Sequence, residues 1–424
     1  MTATTNPHSG SKLRIQDYDD ADFDPFATFD EVGGLGEVDD PFPRIHELAA
    51  RGAVQEGDIR AEFGLEPFPF WSEFPSFMLF GHDAVSKAYL DAKSFSSAIM
   101  QRLYADSFGL SINGMDAPEH TNYRKLFQQA FMPQQISQWG EQLVPTVIGG
   151  VIDRFADHGK AELVSDFAIR YPFDVVYAQL GLPPEESAIF QKLAVGLMCI
   201  ALDPHHALEA SRKMGDFLQI LLEERRIAGG DDLIGTLGRA EVDGERLPDD
   251  IIVSFLRQLL NAAGDTTYRS TSSLLAALLT HPDQLAAVTA DRSLIPQAVD
   301  ELLRWDGPLT TLTRQTTRDV DLAGIPIPAG AKVDIVQGSA NRDAARYENP
   351  DRFDIYRSAK RNSAFALGPH VCIGQHLARM EMERALNALL DRLPKLRLDP
   401  DYPAPTIVGL NSRAPMAVHV MFDA

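Results

Sequence analysis

Cysteine is almost missing from this chain of 424 residues, with Cys199 and Cys372 its only two. Two thiols cannot build a disulfide framework, so the small secreted scaffolds are excluded and a reducing, cytoplasmic home is expected. Positive charge is scarce too: 39 Lys and Arg stand against 60 Asp and Glu, a formal charge of −21 at pH 7. A phosphate backbone demands a basic surface, so nucleic acid is not an expected partner. No apolar run approaches the roughly 18 residues that cross a bilayer. The polar stretch Met1–Ser11 lacks the apolar core of a secretory signal. Neither membrane insertion nor export is expected. Internal repeats and Gly/Ser- or Pro-rich linkers are absent as well, which argues against a string of separate modules.

What the chain does contain is ordinary globular material, 45% hydrophobic and 23% charged, in a length that can bury a large core. The acidity is uneven. Residues 1–66 hold fifteen Asp and Glu against five Lys and Arg. The first 40 read as an acidic, loosely ordered arm, followed by a single domain over 41–424. Phe77–Phe80 reads as a short strand ending at Gly81, and His82–Leu90 as a helix with Asp83 as its N-cap. From Pro118 to Leu303 apolar residues recur at three- and four-residue spacing, as in Leu126/Phe127/Phe131, so helix dominates. The longest such pattern, Pro248–Leu279, is bounded by Leu247-Pro248-Asp249 and His281-Pro282. Downstream, Asp319–Ile327 and Lys332–Val336 read as strands and Ala340–Leu367 as structureless. A last helix runs from Gly374 to about Leu393, and strands at Thr406–Val408 and Ala417–Phe422 follow. The expected fold class is mainly α with small β-sheets at its edge.

The segment richest in chemistry is Phe365-Ala-Leu-Gly-Pro-His-Val-Cys-Ile-Gly374, a cysteine between glycines just before a helix. Glycine at both −4 and +2 of a given cysteine arises by chance about once in 200. Gly368 and Gly374 allow a backbone approach that a Cβ would block. The amides opening the next helix, with its dipole, are expected to lower the Cys372 thiol pKa. A thiolate in a nest of amides suits a soft axial bond to iron. Zinc is a second candidate, because His370 and His376 flank the cysteine, but three ligands with no evident fourth fit structural zinc spacing poorly. A buried, inert thiol is the third reading.

Three more motifs precede it. Glu301-Leu-Leu-Arg304 places an acid and a base at i,i+3. Asn261-Ala-Ala-Gly-Asp-Thr-Thr267 interrupts the long helix with poor helix formers, where a Thr hydroxyl can take the i−4 carbonyl. Asp116-Ala-Pro-Glu-His-Thr-Asn-Tyr-Arg124 sets His120 and Arg124 on one helix face. In this order, over roughly residues 70–424, the set resembles the cytochrome P450 family, whose Cys loop reads Phe-x-x-Gly-x-His-x-Cys-x-Gly. The resemblance implies a single P450-type fold, with haem b between the long central helix and the Cys372 loop and its helix. It implies Cys372 as the proximal iron ligand and His120, Arg124, Arg314 and His370 as partners of the haem propionates. Phe365, Gly374, Ala378 and Ala263 become further haem contacts, and Asp265 with Thr266 the proton-delivery pair for O2 chemistry. Glu301 and Arg304 become a structural pair, completed by Arg357 or by Arg352. Ala263 stands where the family usually has glycine, with Gly264 one place later.

The implied activity is insertion of one oxygen atom from O2 into a small hydrophobic substrate. Electrons are expected from a separate 2Fe-2S ferredoxin and its NAD(P)H-dependent reductase, since only 52 residues follow Cys372. A haem-thiolate ligand binder or gas sensor, and a peroxide-driven enzyme, are the alternatives; the Asp265-Thr266 pair favours the O2 user. Between Ala340 and Arg379 seven Lys and Arg face four Asp and Glu, a basic island suited to an acidic ferredoxin. Gln258, Asn261 and Asp265 fall on one helix face at i, i+3 and i+7, a face expected toward the haem. Gln258 and Asn261 are therefore candidate substrate contacts, and Thr310 and Val408 are named beside them. Two amides there need a polar partner, which favours an oxygenated terpenoid, steroid or substituted aromatic over a bare alkane. A monomer is expected.

Overall fold

The computed structural model describes residues 14–182, 184–242 and 244–423. Its axis is the helix Asp249–Thr280, 32 residues long, or about 48 Å at the α-helical rise. Pro248 precedes it, Asp249 and Asp250 occupy its first turn, and His281 ends it ahead of Pro282. Most of its residues are buried, polar ones included. The polar ones are tolerated because their hydroxyls bond within the helix or to a neighbour: Ser270 donates to the Thr266 carbonyl at 2.7 Å and Ser272 to that of Tyr268 at 2.9 Å. The Tyr171 and Thr271 hydroxyls meet at 2.6 Å.

Two apolar cores share this helix. Its first half packs with Phe108, Phe127, Phe173, Phe190 and the helix Pro204–Ala228. Its second half, Leu274–Leu279, packs with the helices Val144–Ile152, Ile295–Asp306 and Gln375–Arg392. The main sheet has five strands in the order Val54–Glu56, Ser76–Leu79, Lys332–Ile335, Leu312–Thr316 and Phe95–Ser96. Only the Ser76–Leu79/Lys332–Ile335 pair is parallel. Lys332–Ile335 is buried at every position, as a strand covered on both faces must be. Its register sets Val333 opposite Arg314, which carries that arginine into the interior. Among the described residues no helix is long and apolar enough to cross a membrane.

Two expectations are corrected. Residues 14–40 are not loosely ordered, although 1–13 lie outside the described residues. Asp24 caps a helix over Pro25–Gly33 that Gly34 closes in the left-handed conformation, and Ile15, Tyr18, Phe29 and Val38 are buried. The acidity of this stretch masked it: Asp17 pairs with Lys192 and Asp19 with Lys213, so the charge is spent on the body of the protein. Asp83 is not an N-cap; Gly81 holds that position and Asp83 lies in the first turn.

Candidate active site

The middle of the central helix carries an anomaly. Between buried neighbours, Ala262 is exposed and Gln258, Ala263 and Thr266 are partly exposed. Positions 258, 262 and 266 form one stripe at four-residue spacing. An open stripe on an otherwise buried helix is where a ligand could lie against it. The Thr266 hydroxyl donates to the Ala262 carbonyl at 2.8 Å, within that stripe.

Cys372 is the counterpart. Its surface is accessible, yet burial dominates its surroundings and pushes its thiol up, against the Gly374 N–H and the charges of Arg124 and Arg379. The sulfur is thus accessible although its surroundings are largely those of the interior. Burial thus opposes the lowering expected from the amides and the helix start. Gly368 is needed where it stands, at φ +72° with a Cβ that would lie 2.4 Å from the Tyr89 carbonyl oxygen. At Gly374 the one protein atom a Cβ would meet is Cys372 Sγ, at an ordinary 4.0 Å. The Cys372 N–H donates to the Phe365 carbonyl at 3.0 Å, closing the loop. Ala378, one turn into the helix Gln375–Arg392, donates its N–H to the Gly374 carbonyl at 2.9 Å.

Around this loop basic groups converge, and Asp116 is the carboxylate whose charge acts on His120 and Arg314. The rings of His120 and His370 lie 3.9 Å apart. Burial, then the positive neighbours His120, Arg314 and Arg124, pushes His370 down to about 3. His120 is lowered by burial and by Arg124, and its Nε2 is buried with no partner among the described residues. Arg124 donates to the Val371 carbonyl at 2.7 Å and Arg314 to that of Thr313 at 2.8 Å; among the described residues neither forms an ion pair. Such a cluster is costly unless anions occupy it. Two haem propionates fit that requirement, and the accessible sulfur beside the cluster fits a thiolate bond to iron.

Beneath the site, Arg304 forks onto Glu301 at 2.7 and 2.8 Å. Arg357, not Arg352, completes the group by donating to Glu301 at 3.0 Å. Arg352 contributes only its carbonyl, which accepts from both arginines. The basic island is thinner than its composition suggests, because Arg342 and Arg357 are committed to Asp306, Asp351 and Glu301. Lys360 and Arg361 remain exposed beside a hollow of about 200 Å³ that Phe365 and Arg379 also line.

The substrate contacts fare differently. Asn261 and Asp265 are buried on the packed side of the helix, not on the open stripe. Asp265 accepts from Arg269 Nε at 3.0 and 3.1 Å, a partner four residues on that the sequence offered and the motif overshadowed. Asn261 Nδ2 is buried without a partner among the described residues. The Gln258 carbonyl oxygen takes the Ser111 hydroxyl. The Thr310 hydroxyl is spent on the Leu410 carbonyl. Val408 borders a separate cavity of about 800 Å³ with Phe42, Ala276 and Ala277, about 15 Å along the helix from Thr266. Gly264 has a packing reason that the sequence did not give: its Cβ would lie 2.4 Å from the Phe173 ring.

Comparison with known proteins agrees with this geometry. The family model described as Cytochrome P450 matches residues 196–407. The cytochrome P450 monooxygenase PikC of Streptomyces venezuelae is 33% identical, over 90% of this chain and 92% of that protein. A vitamin D3 dihydroxylase of Streptomyces griseolus is 36% identical over 70% of this chain and 75% of its own length. Among solved structures, cytochrome P450 CYP109Q5 from Chondromyces apiculatus superposes with a TM-score of 0.81 at 31% identity, covering 91% of this chain and 96% of that one. CYP109E1 from Bacillus megaterium, solved with testosterone, gives 0.80 at 26% identity, covering 91% and 100%. The chain belongs to the cytochrome P450 family and is a monooxygenase of the bacterial type. Membership brings a haem-thiolate iron cofactor, O2, and a need for redox partners.

Proposed function

We propose that this protein hydroxylates a mid-sized, oxygen-bearing hydrophobic molecule, with haem b held by Cys372. The observation that carries the reading is the convergence of His120, Arg124, Arg314 and His370, with neither arginine ion-paired among the described residues, beside an accessible Cys372 sulfur. When bound, haem-thiolate iron supplies O2 activation and oxygen insertion into a C–H bond. The chain's own residues do the rest. His120, Arg124, Arg314 and His370 hold the propionates. Phe365, Gly374, Ala378 and Ala263 shape the two faces of the slot. Thr266 keeps its hydroxyl at the open stripe, and Asp265 brings protons to it, a role matched to a carboxyl that burial pushes up despite Arg269.

Gln258 is the substrate contact best supported. Its side chain borders the open stripe, Ser111 fixes its oxygen, and its Nε2 has no protein partner among the described residues. That amide suits a carbonyl or hydroxyl of a steroid, terpenoid or substituted aromatic. A vitamin D3 dihydroxylase and a testosterone complex among the relatives point to the same class. The exposed Lys360 and Arg361 beside the Phe365 hollow suit an acidic 2Fe-2S ferredoxin. A cytoplasmic monomer, with residues 41–424 as the haem-bearing domain, completes the reading.

The test is reconstitution of the holoprotein with a ferredoxin, its reductase and NADH over a panel of steroids, terpenoids and alkanes. Hydroxylated product with matched O2 consumption is expected for an oxygenated ligand. Ligand binding with no NADH-dependent product from any of them would make the protein a binder.

A further inference from the structure

The N-terminal segment reaches the distal side of the central helix and joins its chemistry. The helix Pro25–Gly33 turns Phe29 inward and places Asp30 beside it. Arg269 Nη2 donates to Asp30 Oδ1 at 2.8 Å, while Nε of the same guanidinium serves both oxygens of Asp265. Arg269 is 1% exposed, and its Nη1 is buried with no partner among the described residues. The rings of Tyr268 and Phe29 stand 4.9 and 5.5 Å from its central carbon. One guanidinium is thus shared by two carboxylates from elements more than 230 residues apart.

The segment is fastened on both sides of that contact. Ile15 N–H donates to Glu186 at 2.9 Å, and Phe23 stacks on His206 at 3.9 Å. Beyond the helix, Leu410 N–H donates to the Gly33 carbonyl at 3.2 Å and Gly409 N–H to that of Val38 at 2.6 Å. Asp30 is therefore delivered to Arg269 by a braced element, not by a wandering arm.

We propose that Asp30 is a positioning residue for the distal acid: by holding one end of Arg269, it keeps that guanidinium from closing fully on Asp265. This rests on the reading of Asp265 and Thr266 as the proton-delivery pair. To pass a proton toward Thr266, the Asp265 carboxyl must loosen from Arg269. A guanidinium whose outer nitrogens are free makes a two-pronged bond to a carboxylate, the tightest such pairing. Asp30 occupies one of those nitrogens and leaves Asp265 the weaker grip through Nε. The charged and titratable groups at Asp265 are Arg269 and Tyr268 on its own helix and Asp30 on the N-terminal one, while Cys199 faces Asp30. Neutralising Asp30 removes a like charge and gives Arg269 wholly to Asp265. The carboxyl then becomes more acidic, so the alkaline limb of turnover moves to lower pH.

The test compares Asp30→Asn, Asp30→Glu and Asp265→Asn holoenzymes with ferredoxin and one accepted substrate. Asp30→Asn is expected to shift the alkaline limb downward, raise the solvent isotope effect about twofold and cut product per NADH about three- to tenfold, with KM unchanged. Asp30→Glu should restore all three. A readout without turnover is hydrogen exchange in residues 25–33, which should slow in Asp265→Asn because Arg269 then belongs to Asp30 alone. A lower thermal midpoint for Asp30→Asn with unchanged pH limb and isotope effect would reduce Asp30 to a brace and overturn the proposal. If Asp265→Asn itself behaves as wild type in turnover, the assignment of the distal acid fails and this proposal falls with it.

Discussion

Replacing Gly264 by alanine sets two well-defined effects against each other. Alanine is the better helix former by about 1 kcal/mol, so in an open helix the change would stabilise. Here the new Cβ would lie 2.4, 2.5 and 2.6 Å from three atoms of the Phe173 ring. Ordinary contact needs about 3.4 Å or more, so ring or helix must retreat by about 1 Å. Phe173 has little room to do so. It is 4% exposed, and two residues earlier Tyr171 ties the same helix to Thr271. Overpacking of this kind costs about 1–3 kcal/mol. The strain wins by about 1 kcal/mol, and a larger loss is expected for Gly264→Val. Because Gly264 sits between Ala263 and Asp265, the retreat should also disturb ligand binding at the open stripe. Denaturant titration of the holoprotein, followed by circular dichroism and by haem absorbance, reads both. A midpoint for Gly264→Ala above wild type would show that propensity rules and that Phe173 is not pressed against this helix.

Other perturbations read the site and the core. Arg314→Leu removes one of four converging donors, and haem transfer to an acceptor apoprotein should speed up about tenfold, as expected for a lost bond to a charged group; an unchanged transfer rate would remove Arg314 from the propionate set. Glu381 is buried and its pKa is raised well above normal by burial alone. A raised carboxyl contributes stability at pH below its unfolded value and loses it as pH climbs through the folded one. Glu381→Gln should therefore stabilise the protein more at pH 8 than at pH 5, measured by denaturation midpoints. An equal effect at both would mean that a counter-charge or water already satisfies it.

Much of this was legible in the sequence, for physical reasons that can be named. The central helix was bounded to within a residue because prolines flank both ends, and the Cys372 loop stood out because glycine at fixed offsets is rare. The N-terminal helix carried its own signals, Asp24-Pro25 at the start and Gly34 at the end, but fifteen acidic residues in the first 66 read as solvated. Their partners, Lys192, Lys213 and Arg269, lie far along the chain. The strand Leu312–Thr316 escaped because its buried positions are Arg314 and Thr316, polar residues whose place is set by strands on either side. The face of the central helix was misjudged by a fraction of a turn. Spacing alone allowed 258/261/265 or 258/262/266, and Arg269 decides it by drawing Asp265 to the packed side. Thr310 and Val408 had no pattern of their own in the sequence; the Thr310 hydroxyl goes to the Leu410 carbonyl and Val408 pairs with Ala414.

The most direct test of the whole account is the carbon-monoxide difference spectrum of the reduced protein, taken for wild type and for Cys372→Ser. A serine hydroxyl is too weak an acid to replace the thiolate, while the side chains at 120, 124, 314 and 370 stay in place to hold the propionates. Wild type should show the thiolate-type Soret band, and Cys372→Ser should lose it while still retaining some haem. A thiolate-type band that survives in Cys372→Ser would contradict the account, because the iron would then be held by a sulfur other than the one this site presents.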